Sequence, residues 1–208
     1  MNAIALSTRL RQKLLLEGKE YLFFNGTSYL GLGSLEVYGR IVESNRQRWG
    51  MHHGLSRTNN VRLAVYDAFE DFFLTHAGAE SAALFSSGYL AGIAASQYLY
   101  PNAAQCWAAP DAHPAILPPG VPVEPSLSFS QWTQACLEKA ARLPSQKILI
   151  LGNAVDPLKA AVHTYDWVLP IASKHEVTLL IDDSHAFGVL GNGLFGTYSQ
   201  WKQEGIRL

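Results

Sequence analysis

Asp182, Asp183 and His185 close the stretch Val177–Gly191, VTLLIDDSHAFGVLG, in which a short apolar run gives way to two carboxylates and an imidazole. An acid–imidazole pair delivered at the end of a strand is suited to binding and proton chemistry. Gly188, Gly191 and Gly193 follow in a loop that lets the backbone approach a ligand or turn sharply. Two further groups have similar character. Ser86-Ser87-Gly88-Tyr89 leads directly into an apolar helix and offers backbone N–H groups and hydroxyls at a positive helix end, which suits a phosphate. Asp111-Ala112-His113-Pro114 follows a short strand candidate. Taken singly, each has a plain structural reading: a strand-end turn with a solvated Asp pair and a surface His, an ordinary Ser N-cap with a Gly turn, a loop.

The elements around these groups decide whether they can meet. Val177–Ile181 and Lys147–Leu151, KILIL, have the continuous apolar character of strands covered on both faces, and Asp166–His175 between them reads as a helix. Strand, helix and strand at this spacing make a βαβ unit with parallel strands. Ser81–Phe85, Gln105–Ala109 and Val121–Glu124 are further strand candidates. Trp132, Cys136 and Ala140 mark a helix closed by Pro144, and Val65, Phe69, Phe72, Phe73 and His76 mark one stopped at Gly78. Leu90–Tyr100 is the helix after the serine turn. Toward the N-terminus, Leu6, Leu10 and Leu14 predict an amphipathic helix ending near Gly18, Tyr21–Phe24 a short strand, and Leu35–Trp49 a helix stopped by Gly50. The polar segment Met51–Arg62 is a loop that either lines a site or simply connects. The expected class is α/β with a mostly parallel sheet and flanking helices.

A parallel sheet puts the carboxyl ends of its strands on one rim, where ligands bind, so the three groups can converge. An anion site, an aromatic imidazole and an acid–imidazole pair together fit pyridoxal 5′-phosphate (PLP). A carboxylate that keeps the pyridine nitrogen protonated makes the ring an electron sink.

GTSYLGLG, SRTNNVRLAVYDAFEDFFLTHAGAESAALFSSGYLAG and LLIDDSHAFGVLGNGLFG resemble the α-oxoamine synthase family of fold-type I PLP enzymes, most of all its biotin-biosynthetic branch. The resemblance runs from about Tyr21 to the last residue. It implies an incomplete PLP-transferase large domain, with 1–50 as an N-terminal helical or extended segment and 51–208 as the partial PLP-binding domain. It implies that Ser87, Gly88 and Tyr89 surround the phosphate, His113 stacks on the ring, Asp182 pairs with the pyridine nitrogen, His185 approaches the 3′-oxygen, and Asn153 is a further cofactor-side polar residue. Asp182, His113 and His185 are then the catalytic set. The implied activity is decarboxylative condensation of an amino acid with an acyl-thioester by a cytoplasmic homodimer. The family also implies a Schiff-base lysine after one more strand and a C-terminal small domain. The chain reaches Leu208 before either, so alone it is expected to be inactive.

Departures at Thr27, Pro114 and HHGLSRTNN keep two alternatives open: an aminotransferase of the same fold, and a noncatalytic PLP-fold protein that dimerises or binds a partner. The 208 residues, 48% apolar, suffice for one sizeable core. Sixteen basic against seventeen acidic residues, without a basic stripe, point away from nucleic acid and anionic membranes, and no apolar run approaches the ~18 residues of a span. Cys106 and Cys136 fit no disulfide or zinc pattern and read as buried thiols. A metal site built on Asp182, His185, His113 and the His52–His53 pair lacks any established ligand spacing, so no metal is expected.

Overall fold

The computed structural model describes residues 6, 12–24 and 26–203. The chain divides into two compact units, Met1–Leu55 and Ser56–Leu208.

In the first unit, strands β1 (Lys13–Leu16) and β2 (Lys19–Leu22) form an antiparallel hairpin, followed by helix α1 (Glu36–Trp49). The hairpin corrects the expected N-terminal helix from Lys13 onward; Leu10 lies outside the described residues. The reason is the turn. Glu17 and Gly18 have φ of 48° and 77°, the pair of positive values that a two-residue hairpin needs. Leu14 and Leu16 then fall on the half-buried face of an alternating strand. The expected strand at Tyr21–Phe24 begins two residues earlier and ends at Leu22.

The second unit is built on a three-stranded parallel sheet of order β3–β4–β7, from β3 (Gln105–Ala108), β4 (Lys147–Asn153) and β7 (Glu176–Asp182). Between β4 and β7 lies a small antiparallel pair, β5 (Val155–Asp156) and β6 (Ala161–Val162). From Ile148 to Asn153 the central strand β4 is buried throughout, which is why it reads as an unbroken apolar run. Helices α2 (Ala64–Ala77), α3 (Gly88–Leu99), α4 (Phe129–Arg142), α5 (Leu169–Ala172) and α6 (Tyr198–Gln203) complete the unit. α4 buries Trp132, Cys136 and Ala140, one stripe at four-residue spacing. It starts with a capping box: Gln131 N–H donates to Ser128 Oγ and Ser128 N–H donates to Gln131 Oε1.

Three expected elements differ. Ser81–Phe85 has alternating exposure but no regular secondary structure, and it joins no sheet among the described residues. Val121–Glu124 is irregular. The expected helix Asp166–His175 is a 3-10 turn at Asp166–Val168 followed by the four-residue α5; Pro170 lacks the N–H that a continuous helix would use there.

The Met51–Arg62 loop is explained by its own bonding. Arg57 forms a two-pronged ion pair with Glu70 of α2, and Glu70 Oε1 also accepts from Leu84 N–H at 2.8 Å, so one carboxylate ties the loop, α2 and the Ser81–Phe85 segment together. The Arg57 guanidinium holds the Glu70 carboxyl below its ordinary value. Both cysteine thiols are pushed up by burial, Cys106 to about 11 and Cys136 to about 12. No helix among the described residues is long and apolar enough to cross a membrane.

β4 ends beside a close approach that only glycine permits. A Cβ on Gly152 would sit 2.1 Å from Tyr165 Oη, whose hydroxyl donates to the Asn153 carbonyl at 2.8 Å. Gly152→Ala is expected to destabilise the fold by about 1–3 kcal/mol, as overpacking of a dense core does. Urea unfolding reads this directly, and an unchanged midpoint would contradict the packing described.

Candidate functional site

The rim is set by the register of β4 and β7, in which Asn153 lies opposite Asp182 and Ala154 N–H donates to the Asp182 carbonyl at 2.9 Å. Past this point each strand turns. Asp182 Oδ1 accepts from Ser184 N–H at 2.9 Å, while Oδ2 has no hydrogen-bond donor among the described residues and lies 3.7 Å from His113 Nδ1. That separation is too long for a hydrogen bond. The His113 Nδ1 lone pair instead accepts from Ala115 N–H at 3.2 Å, which places the neutral ring's proton on Nε2. With 45% of its side chain exposed against 16% for Asp182, His113 is a solvent-accessible imidazole beside a mostly covered carboxylate.

The turn into α3 reaches the same place. Ser87 is the N-cap, its Oγ accepting from Leu90 N–H at 3.1 Å. The Tyr89 ring stands edge-on to His113 with centroids 6.1 Å apart. A Cβ on Gly88 would lie 3.9 Å from Ser184 Oγ, so the helix start faces the turn that follows Asp182. Ser86 to Tyr89 are all exposed, and the first N–H groups of a helix have no intrahelical partner. One patch therefore joins the start of a twelve-residue helix, the His113 imidazole and a carboxylate oxygen without a donor among the described residues. It can take a ligand with an anion at one end, a flat ring, and an N–H donor at the other.

His185 follows on the same turn and is half-buried. Asp183 is a structural clamp: its Oδ2 accepts from Thr197 N–H at 2.8 Å and its Oδ1 from the Thr197 hydroxyl at 2.7 Å. The glycines of this loop are used for close backbone approach. At Gly191 a Cβ would collide with the Gly196 carbonyl, and Gly196 packs against the Asp183 carboxylate.

Asn153 is placed under the site and not on its surface. It is 5% exposed, its Nδ2 donates to the Asp111 carbonyl at 2.5 Å, and its Oδ1 accepts from His113 N–H at 3.2 Å. An amide so engaged holds the 111–113 turn. Behind it, His163 Nε2 and Asp111 Oδ2 are 2.8 Å apart. The sequence reading overlooked His163, and its spacing from Asp111 carries no signal; only the hairpin β5–β6 brings the two together. The lysines of this unit whose side chains are described are engaged elsewhere: Lys139 over the Trp107 ring, Lys147 with Glu176, Lys159 with Asp156, and Lys174 donating to the Ala141 carbonyl.

The same fold occurs in solved structures. The serine palmitoyltransferase of Sphingomonas wittichii superposes with a TM-score of 0.74 at 18% identity, over 93% of this chain and 49% of that one. A structure titled as serine palmitoyltransferase with PLP gives 0.72 at 18%, over 98% and 52%. The fold of this chain is thus that of part of the PLP-transferase large domain. By sequence the chain is 30% identical over 183 residues to the 8-amino-7-oxononanoate synthase of Azoarcus sp. (strain BH72), covering 86% of this chain and 46% of that protein. It is 27% identical over 187 residues to that of Aromatoleum aromaticum, covering 89% and 48%. The resemblance to the α-oxoamine synthases is shown over most of this chain, which spans about half the length of the curated relatives it matches. No family model matches.

Asp183 gives a pH-dependent test of its clamp. Burial raises its carboxyl above the ordinary value, outweighing the two Thr197 hydrogen bonds that lower it; the nearby Asp182 charge raises it further. The folded chain then binds this proton more tightly than the unfolded chain does. Asp183's contribution therefore falls as pH rises from the ordinary carboxyl value through the raised one. The melting-temperature advantage of wild type over Asp183→Asn is expected to shrink as pH rises above the ordinary carboxyl value of 3.8; an advantage growing with pH would contradict the burial.

Proposed function

We propose that the chain is the N-terminal part of a PLP-dependent acyltransferase of the α-oxoamine synthase type, in which residues 51–208 are the partial PLP-binding domain and 1–50 an N-terminal segment. The observation that carries this reading is the Asp182 carboxylate, with one oxygen lacking a donor beside the exposed His113 ring and opposite the start of α3. A protonated pyridine nitrogen would supply a donor to that oxygen. Ser87, Gly88 and Tyr89 would hold the PLP phosphate through backbone N–H groups and the positive helix end. His113 would serve as the platform for the ring, His185 and Asn153 would be further cofactor-side polar residues, and the Asn153 side chain also fixes the backbone of the His113 turn. When bound, PLP supplies an electron sink for a carbanion at the substrate α-carbon.

Asp182 is the chemically decisive residue because a carboxylate beside the ring nitrogen favours its protonated form. The intact protein, read as a cytoplasmic homodimer, condenses an amino acid with an acyl-thioester and releases carbon dioxide and free thiol. Amino-acid-dependent thiol release from an acyl-thioester is its expected activity; amino-group transfer to a 2-oxo acid in its place would overturn the acyltransferase assignment.

For this chain the test is binding. Equilibrium dialysis is expected to show saturable, noncovalent PLP binding that Asp182→Ala weakens about tenfold to a hundredfold, the value of one charge-assisted hydrogen bond. No saturable binding, or equal binding by Asp182→Ala, would overturn the reading.

A further inference from the structure

Behind the rim, and outside every residue assigned above to the cofactor, lies a buried His–Asp pair. His163 follows β6, is 9% exposed, and stacks on Phe129 at the start of α4, with ring centroids 3.7 Å apart and planes 8° from parallel. Its backbone N–H donates to the Ala154 carbonyl at 2.8 Å, fixing the main chain. Its Nε2 reaches Asp111 Oδ2 at 2.8 Å. The other Asp111 oxygen is buried without a partner among the described residues. An unsatisfied carboxylate oxygen in the interior is expensive, and a leucine there would pack without that penalty. Asp111 thus gains one interaction, with His163, at a position where its charge is a burden.

What that interaction does follows from the next bonds. Asp111 begins the turn whose third residue is His113. The turn is pinned at the Asp111 carboxylate by His163, at the Asp111 carbonyl by Asn153 Nδ2, and at His113 N–H by Asn153 Oδ1. The Asn153 main chain is itself held by Tyr165 Oη. From there the imidazole is fixed by Ala115 N–H on Nδ1, 3.7 Å from Asp182.

We propose that His163, acting through Asp111, is a positioning residue that sets where the His113 ring stands relative to Asp182, so that the β5–β6 hairpin and the start of α4 govern the ring platform of the site. This rests on the PLP reading only for the platform's use; the coupling itself is a property of the chain.

The test compares His163→Gln, which keeps a donor for Asp111, with His163→Phe, which keeps the stack on Phe129 and removes the donor. Because the latter leaves Asp111 wholly unpaired and can prevent folding, the double variant His163→Phe with Asp111→Leu removes both polar groups together. The readouts, on the full chain, are the His113 Cε1–H resonance and its pH titration by NMR, the PLP dissociation constant, and far-UV circular dichroism. Wild type and His163→Gln are expected to share one sharp His113 signal. The folded double variant is expected to show a displaced or broadened signal, a shifted titration midpoint and about tenfold weaker PLP binding. A folded double variant with lower thermal stability but an unchanged His113 titration would overturn the proposal. A wild-type chain that binds no PLP, with the His113 signal still moving in the double variant, would uphold the coupling and overturn the cofactor reading.

Discussion

Everything at the rim depends on the parallel pairing of β4 with β7 in one register. Opposing Asn153 to Asp182 brings the turn beneath His113 and the carboxylate beside it to the same edge of the sheet. Side chains alternate faces along a strand, so a slip of one residue would send Asp182 to the opposite face and separate it from His113. The register is held by burial: Ile148 to Asn153 pack on all sides, and Val177 and Leu179 are buried across from them. Function at the end of the strand is therefore fixed by apolar residues in its middle.

The polar layer around that edge has a division of labour. Asp182 and His113 have unused capacity, an oxygen without a donor among the described residues and a ring that is partly exposed. Asp183, Asn153 and Asp111 face inward and are engaged with Thr197, the 111–113 turn and His163. Three carboxylates within the same few turns thus have three different uses, decided by which donors the neighbouring loops supply. The glycines of the 188–196 loop serve the inward group, letting that loop fold onto itself and deliver Thr197 to Asp183.

Much of this was legible in the sequence where a residue's role follows from its neighbours in the chain. Continuous apolar runs gave β4 and β7, a four-residue stripe gave α4, and Ser87 before an apolar helix gave the N-cap. That Asp182 and His113 can meet was legible because strand ends of a parallel sheet share a rim. What was not legible depends on partners distant in the chain. Ser81–Phe85 has strand composition, yet a strand exists only with a neighbour, and none of the described residues pairs with it. The β1–β2 hairpin was obscured because Leu10 and Leu14 also fit helical spacing, although Glu17-Gly18 between two lysine-led apolar segments carries the turn signal. His163 offered no signal, since its contact with Asp111 spans 52 positions and runs through a two-residue strand pair.

The central claim is that Asp182 meets a pyridinium nitrogen. It is tested most directly by nitrogen NMR of PLP labelled with nitrogen-15 in the ring, bound to this chain above the ring nitrogen's free titration range. The account predicts a protonated-nitrogen shift in the wild-type complex and an unprotonated one in Asp182→Ala saturated with the same ligand. A bound ring nitrogen that is unprotonated in wild type, or protonated alike in both, would contradict it.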